Sequence, residues 1–334
     1  MMRNRLLQLL FLFAAICFTV SGQQIDYPRD TSYNLNSALK KIKKYYPEVT
    51  LVKDVSYPGV KEKRNVVYYN TGERDLHADL FFPVKNGDEK IPAVILIHGG
   101  GWASGTKAHM VPLAENLAKD GYFAAAVEYR LSPEAIYPAG VLDLKTFVKW
   151  LKLHCSDYNI DTSRIATLGA SAGATLAALV GTTGQNPIFK SFDFGEKVSD
   201  KVQAIVNIDG VVDFTDPAES AKDEDPAKPS AGTRWFGATY KQRPDLWKQA
   251  SALYYAGPKT PPTIFINSSQ PRFHAGRDEY VAILKDNGID YRIFTIEGTP
   301  HTFWLFHPWF EETYPKVVVF LNDTFHYNGK NGSN

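Results

Sequence analysis

The sequence has few cysteines, no excess of charge of either sign and no spacing that suggests a metal site. Its 334 residues include only two cysteines, Cys17 and Cys155, and 37 lysines and arginines against 36 aspartates and glutamates. This balance gives no attraction to nucleic acid or to an anionic membrane. No His-x-x-x-His pair or carboxylate cluster has ligand spacing, so we expect neither a metal nor another cofactor. A chain of this length buries enough apolar surface to fold without disulfides.

The first 22 residues have the layout of a secretory signal peptide. Two arginines precede an apolar run at 6–20, and a segment ending in small residues follows it. The run is short for a bilayer span. We therefore expect cleavage after Gly22, export to a bacterial periplasm or cell surface, and a single mature domain at 23–334 without membrane attachment. Only Cys155 would then remain, which excludes an internal disulfide.

Buried strands and helices alternate from Pro92 onward. Continuous apolar runs such as 93–97 and 123–127 are typical of strands that are buried on both faces. Their alternation with helical stretches predicts an α/β fold with a mostly parallel central sheet flanked by helices. Before this region, 65–69 and 76–82 alternate apolar and polar residues, which predicts an antiparallel hairpin at one edge of the sheet.

The segment 213–260 interrupts the alternation. It is rich in proline, and its aromatic residues include Trp235, Phe236, Tyr240 and Trp247. A long insertion in a compact domain is either a mobile loop or a functional element with its own packing. The aromatic residues favour the second interpretation, a small packed cap beside the functional site.

A serine lies at a strand–turn–helix junction in the segment 169–173, which reads GASAG. At such a junction the serine side chain is exposed above the sheet. The glycines two residues before and after it remove side chains that would collide with the backbone. The pattern predicts that Ser171 is a nucleophile. The alternative, a plain small-residue turn, is disfavoured by the strand and the helix on either side.

A second glycine-rich segment, 98–102 with the sequence HGGGW, follows the buried strand at 93–97. Its glycines let backbone N–H groups approach a substrate oxygen, where they stabilise the charge of a tetrahedral intermediate. No Lys-Ser or Lys-Thr pair follows at the spacing of a phosphate-binding loop. We expect the N–H groups of Gly100, Gly101 and Ala172 to form an oxyanion hole.

His301 lies in a turn, 298–304, between the last apolar strand and the final helix. A serine hydroxyl is barely ionised at neutral pH and needs a neighbouring base to become a nucleophile. The chain order of serine before histidine, and the position of the histidine after a strand, predict that His301 is the general base for Ser171.

These three motifs, with the segment 129–134 (YRLSPE) and Asp143 behind it, are similar to those of hormone-sensitive-lipase-type carboxylesterases. The resemblance spans residues 64–325. It implies the α/β-hydrolase fold and hydrolysis of a carboxylic ester by a serine mechanism.

The sequence departs from this family at the triad acid. The family normally has an acidic residue after the strand that precedes the histidine strand, but here 267–274 contains no carboxylate. The next acidic residue is Asp278, at the start of a helix, and we expect it to orient the imidazole. Asp209 and Asp213, after the preceding strand, are the alternative, because some lipases of this fold have the acid there, and Asp209 is the one we favour of the two. A Ser–His dyad aided by a backbone carbonyl is a third possibility.

The stretch 268–278, with the aromatic segment after His301, resembles exported carbohydrate and pectin esterases of gut Bacteroidetes. The resemblance implies a plant cell-wall polysaccharide or oligosaccharide ester as substrate. Arg272 and Arg277 would lie near His301, where a guanidinium can bind a uronate carboxylate through two parallel hydrogen bonds. Surface salt bridges are the alternative for both arginines.

Trp102 and Trp304 flank the predicted oxyanion loop and the predicted base. Their rings would stack on sugar faces if the substrate is a glycan, and core packing is the alternative for each.

The leading hypothesis is a serine carboxylic ester hydrolase that removes methyl groups from pectin. An esterase that releases acetyl groups from xylan or pectin is the nearest alternative. A serine peptidase of the prolyl-oligopeptidase type would need a large propeller-like N-terminal half, which this chain lacks. A non-catalytic binding module on the same fold is disfavoured by the intact serine, histidine and glycine loop.

Overall fold

A computed structural model describes residues 30–84, 89–190, 194, 197–221 and 227–327 of the chain. The signal peptide predicted at 1–22 therefore lies outside the described residues. Within the described ranges, no helix combines the length and the apolar character that crossing a membrane requires.

The described chain alternates strands and helices along most of its length. The strands are β1 (Thr50–Leu51), β2 (Val60–Asn70), β3 (Asp75–Pro83), β4 (Ile91–Ile97), β5 (Phe123–Val127), β6 (Ile160–Ala170), β7 (Ala204–Ile208), β8 (Thr263–Ser268), β9 (Tyr291–Ile296) and β10 (Phe306–His307). The α-helices are α1 (Leu35–Ile42), α2 (Val111–Lys119), α3 (Ala139–Leu153), α4 (Ala172–Thr182), α5 (Pro217–Ser220), α6 (Ala231–Phe236), α7 (Pro244–Gln249), α8 (Arg277–Asp286) and α9 (Trp309–Phe325).

Strands β2 to β9 form an eight-stranded sheet in the order β2-β3-β5-β4-β6-β7-β8-β9. Strand β3 is antiparallel to both β2 and β5, whereas every neighbouring pair from β5-β4 to β8-β9 is parallel. The predicted α/β fold, with its mostly parallel sheet and antiparallel edge hairpin, is confirmed.

The apolar run of β4 supplies two cores because successive side chains point to opposite faces of a sheet. Ala93, Ile95 and Ile97 belong to a core cluster that also contains residues of α3, α4 and α8. Val94 and Leu96 belong to a second cluster, with residues of α2 and α9. All seven residues of β4 are buried, which explains why the strand shows no apolar–polar alternation.

The segment between β7 and β8 packs onto the domain through its aromatic residues. The indole of Trp235 stacks on Trp102 of the glycine-rich loop, with ring centroids 4.7 Å apart and an interplanar angle of 11°. Phe236 and Trp247 extend the cluster with a centroid separation of 4.7 Å. Trp235 and Phe236 belong to α6 and Trp247 to α7, so aromatic contacts hold these two short helices together and attach α6 to the loop at 98–102.

Parallel strands all end at the same edge of a sheet. The carboxyl ends of β4, β6, β7 and β8 therefore bring the glycine-rich loop, Ser171, Asp209 and Ser268 to one edge, and the turn after β9 brings His301 to them.

Candidate active site

Ser171 has a backbone conformation that few non-glycine residues adopt, with φ 55° and ψ −125°. Its N–H donates to the carbonyl of Ile208 at 2.9 Å, which ties the turn to the end of β7. The flanking glycines are required by close packing. A Cβ on Gly169 would lie 2.0 Å from the carbonyl oxygen of Gly173, and one on Gly173 would lie 2.1 Å from that of Ile97. The strained turn presents the serine hydroxyl at the edge of the sheet.

The hydroxyl of Ser171 and the imidazole of His301 are in hydrogen-bond contact. The Oγ–Nε2 distance is 2.7 Å. The imidazole is held between two aromatic rings. Phe273 stacks on its face with a centroid distance of 3.5 Å and an interplanar angle of 6°, and Trp304 meets it edge-on at 5.5 Å. The structure thus brings together the two residues that the sequence predicts to act as nucleophile and base.

The carboxylate that contacts His301 belongs to Asp209. Its Oδ2 lies 2.7 Å from Nδ1 of the imidazole. Asp209 follows β7 directly, has φ 55° and is completely buried. With Nδ1–H donating to Asp209, Nε2 is left to accept the proton of Ser171 Oγ. This tautomer is the one that a serine nucleophile requires.

The expectation that Asp278 orients His301 is wrong. The Asp278 side chain is 73% exposed and pairs with the Arg277 guanidinium at 2.8 Å. A 3-10 turn at Pro271–His274 and the left-handed Gly276 separate β8 from α8, so the first acidic residue of that helix points to solvent. In the sequence, the position of Asp209 directly after an apolar strand is what made it the alternative to Asp278 as the triad acid.

The predicted oxyanion donors lie around Ser171. Gly100 and Gly101 have φ values of 126° and 59°, and a Cβ on Gly100 would lie 2.1 Å from the carbonyl oxygen of Ser104. Ser104 donates to the Gly100 carbonyl from both its N–H and its hydroxyl, at 3.0 and 2.8 Å, which folds the loop tightly. Ala172 begins α4, and the first N–H groups of a helix have no intrahelical acceptor.

Two titratable groups near the glycine-rich loop have shifted pKa values, one behind the loop and one at the outer edge of the site. His109 is buried, and burial lowers its pKa to about 4. It is therefore uncharged at neutral pH and adds no positive charge behind the loop. At the outer edge of the site, hydrogen bonds from Ser32 lower the pKa of Asp30, so this carboxyl group is ionised at neutral pH.

A cavity of about 360 Å³ opens above Ser171 and His301. Gly100, Gly101 and Ala172 line it together with these two residues. Part of its wall comes from the N-terminal segment, which the sequence did not connect with the site. These residues are Asp30, Ser32, Tyr33 and Lys41. An isolated bridge between Asp30 and Ser104 attaches this segment to the glycine-rich loop, a contact that no local pattern predicts.

Arg272 lies in the wall of the same cavity. Its side chain is 51% exposed, and its Nε donates to Oε1 of the buried Glu219 at 3.0 Å. Among the described residues, its two Nη groups make no hydrogen bond. Arg277 behaves differently, because it binds Asn267 and Asp278 and does not line the cavity.

Neither tryptophan offers an open face to a sugar. Trp102 lines the cavity but is only 7% exposed, and one face of its indole is covered by Trp235. Trp304 is 6% exposed, packs against Phe303 and is not part of the cavity wall. The expectation that these rings stack on sugars is wrong, because both lie in the aromatic packing behind the site. Among the described residues, no group of histidine, cysteine and carboxylate side chains is arranged to hold a metal ion.

The fold and the Ser171–His301–Asp209 arrangement define a serine hydrolase site on an α/β-hydrolase fold. The BD-FAE family model matches residues 78–283, more than half of the chain. The chain therefore belongs to the BD-FAE family.

Several known proteins of similar sequence or structure are described as esterases. The esterase LipQ of Mycobacterium tuberculosis is 28% identical over 224 residues, which are 66% of this chain and 52% of LipQ. The first three curated relatives align over only 28%, 44% and 52% of their own lengths. A thermophilic esterase from Thermogutta terrifontis superposes with a TM-score of 0.67 and 21% identity, covering 83% of this chain and 96% of the esterase. A truncated carbohydrate esterase from gut microbiota superposes with a TM-score of 0.64 and 19% identity, covering 81% of this chain and all of that structure.

Proposed function

We propose that this protein is a carboxylic ester hydrolase in which Ser171 is the nucleophile, His301 the general base and Asp209 the orienting acid. The observation that carries the proposal is the continuous hydrogen-bonded series from Ser171 Oγ through the imidazole to Asp209, with 2.7 Å at each step. This series begins in the wall of an open cavity, which Ala172 at the start of α4 also lines. Its esterase relatives support the same reaction.

The geometry supports a two-step acyl transfer. Ser171 Oγ attacks the ester carbonyl carbon while His301 Nε2 accepts the hydroxyl proton, and the N–H groups of Gly100, Gly101 and Ala172 stabilise the oxyanion. The imidazolium, held by Asp209, then gives the proton to the leaving alcohol, which leaves an acyl group on Ser171. Water, deprotonated by His301, attacks this acyl-enzyme and releases the acid.

The test is hydrolysis of a nitrophenyl ester by two variants. Ser171→Ala and His301→Ala should each lower kcat by about a thousandfold or more, because nucleophile and base act as one unit. His154→Ala is the matched control, since His154 also bonds a carboxylate, Asp157, at 2.8 Å but is partly exposed and outside the cavity. A Ser171→Ala protein with a tenth of the wild-type turnover would overturn the proposal.

For the substrate we propose a methyl ester of a pectic uronate within a plant cell-wall glycan. Support comes from Arg272 in the cavity wall, whose Nε donates to Glu219 while its Nη groups make no hydrogen bond among the described residues. A guanidinium held in this way suits a carboxylate, such as the free uronates beside a methyl ester. The carbohydrate esterase among the structural neighbours agrees with a glycan substrate.

Pectins of defined methyl and acetyl content test this proposal through the release of methanol and acetate. Methanol release supports the methylesterase, whereas acetate alone would make the enzyme an acetylesterase. Arg272→Ala should weaken action on pectin by about tenfold or more, since a charge-assisted hydrogen bond is worth about 1.5–3 kcal/mol. Hydrolysis of neutral nitrophenyl acetate should change much less.

Arg243→Ala is the matched control for Arg272, because both side chains are 51% exposed and both pair with a carboxylate. Arg243 does not line the cavity, so its replacement should leave both substrates unaffected. Equal losses on pectin and on the neutral ester after Arg272→Ala would contradict the uronate assignment.

We also propose that the protein is exported, with a mature chain that begins near Gln23. The apolar run at 6–20 with its preceding arginines supports this proposal. Mass spectrometry of protein from the periplasm or the cell surface should give an N-terminus at Gln23. An intact Met1, or a lipid on Cys17, would contradict it.

A further inference from the structure

Ser268 is the last residue of β8 and lies beside the buried Asp209. It is completely buried, and it makes two hydrogen bonds to Asp209. Its N–H donates to Oδ1 at 2.8 Å, and its hydroxyl donates to Oδ2 at 2.7 Å. The second contact is on the same oxygen that accepts the hydrogen bond from His301.

A buried carboxylate needs hydrogen-bond donors, because burying its oxygens without partners costs free energy. Asp209 is fully buried, and Ser268 supplies two of its donors. The amide of Asn267 is farther away, at 3.5 Å from Oδ1. The serine hydroxyl is therefore the side-chain donor that fixes the oxygen facing the imidazole.

We propose that Ser268 is a positioning residue for the Asp209–His301 pair. Its hydroxyl holds Oδ2 in the orientation that accepts Nδ1–H, and so keeps the imidazole in the tautomer that can accept the Ser171 proton. This inference rests on the proposed function. Ser268 is not part of the cavity wall, so it acts on turnover and not on substrate binding.

The chain offers a closely matched control in Ser251. Both serines are completely buried, and each hydroxyl donates one hydrogen bond and accepts one. Ser251 donates to the Trp247 carbonyl at 2.9 Å and accepts from Phe214 N–H at 2.8 Å. Ser268 donates to Asp209 and accepts from Gln270 N–H at 3.3 Å. Replacing either serine by alanine removes comparable bonds, but only one of them touches Asp209.

The experiment compares wild type, Ser268→Ala and Ser251→Ala in two assays. Steady-state hydrolysis of nitrophenyl acetate gives kcat and KM, and inactivation by diethyl nitrophenyl phosphate gives both the number of reactive serines and their reaction rate. We expect Ser268→Ala to lower kcat and the inactivation rate by about tenfold. KM and the titrated fraction should remain within about twofold of wild type, and the Ser251→Ala rates should match those of wild type.

Two results would overturn the inference. One is a Ser268→Ala rate per titrated site within twofold of wild type, and the other is an equal loss of that rate in Ser251→Ala. If Ser268→Ala does not fold, Ser268→Cys replaces it, because a thiol keeps the shape but donates weakly. A lower rate per titrated site in the cysteine variant then supports the inference, and an unchanged rate overturns it.

The same assays distinguish a failure of the proposed esterase function from a failure of the positioning role of Ser268. A wild-type protein that hydrolyses no ester and is not modified by the phosphate at Ser171 would refute the esterase itself, and with it the role of Ser268. An active wild type with an unaffected Ser268→Ala variant refutes only the positioning role.

Discussion

Strands β7 and β8 are parallel neighbours that end beside the same imidazole, and they differ in what they present to it. The residue after β7 is Asp209, a buried carboxylate in contact with His301, whereas the last residue of β8 is Ser268, a neutral donor to that carboxylate. Their register places Ile208 opposite Ile266, so the two ends lie side by side. The site needs a carboxylate oxygen next to Nδ1, and in this protein the end of β7 supplies it.

The two strand ends also differ in backbone conformation. Asp209 has φ 55°, a left-handed conformation that aspartate and asparagine tolerate better than most residues. Its N–H is held by the Ile266 carbonyl of the neighbouring strand at 2.9 Å. The turn that supplies the acid is therefore anchored by β8. After β8, the chain has no left-handed residue before Gly276.

The largest expected effect comes from removing the charge at the end of β7. Asp209→Asn keeps the shape and the left-handed backbone but favours the wrong imidazole tautomer, so kcat should fall by about 10⁴-fold. Asp278→Asn, at the exposed start of α8, should leave kcat within twofold of wild type. Steady-state hydrolysis of nitrophenyl acetate measures kcat for both variants. A large loss in the Asp278 variant would instead support Asp278 as the acid that orients His301.

Moving the carboxylate from one strand end to the other is the next test of this comparison. Asp209→Asn combined with Ser268→Asp should regain about tenfold or more of the activity lost in Asp209→Asn alone. The introduced aspartate is close to the imidazole, and the asparagine amide can donate to it. Activity no higher than that of the single variant would show that only the end of β7 can supply the acid.

A smaller effect is expected from crowding the turn after β7. A Cβ on Gly210 would lie 2.4 Å from Ala174 Cβ and 2.8 Å from the carbonyl oxygen of Ser171. Gly210→Ala should therefore destabilise the fold by about 1–3 kcal/mol and lower kcat by displacing the neighbouring Asp209. Gly257→Ala is the control, because a Cβ there meets nothing within 4 Å. Denaturant unfolding measures the stability, and equal stability of both variants would contradict the close packing.

The smallest effect is expected at the weakest contact of the β8 end. Asn267 donates to Asp209 over 3.5 Å and accepts from Arg277 at 3.0 Å. Asn267→Ala should lower kcat by about twofold to threefold, since long hydrogen bonds contribute little. A loss as large as that of Ser268→Ala would show that both residues hold the carboxylate equally.

The positions of Ser171 and His301 could be predicted because each depends on a strand–turn signal within a few residues. The glycines at 169 and 173 mark a turn in which any larger side chain would collide with backbone atoms. The turn at 298–304 lies between the last strand and the last helix. Such patterns are local, so they can be read without knowing which strands are neighbours.

The roles of Trp304 and of the N-terminal segment could not be read in this way. Trp304 is next to the site in sequence, but its ring enters the aromatic packing behind His301. Asp30 and Lys41 are far from every motif in sequence, yet they line the cavity. Both outcomes depend on contacts between distant parts of the chain, which local periodicity does not encode.

The sequence by itself determined the α/β class, the parallel sheet with its edge hairpin, and the places of Ser171, His301 and the glycine-rich loop. The reason is that strand burial, glycine geometry and turn chemistry act over short stretches of chain. Only the tertiary structure decided that Asp209 contacts the imidazole, that Ser268 supports it, and that Glu219 holds Arg272 at the cavity. These three contacts form between separate loops, and the order of strands in the sheet sets which loops meet.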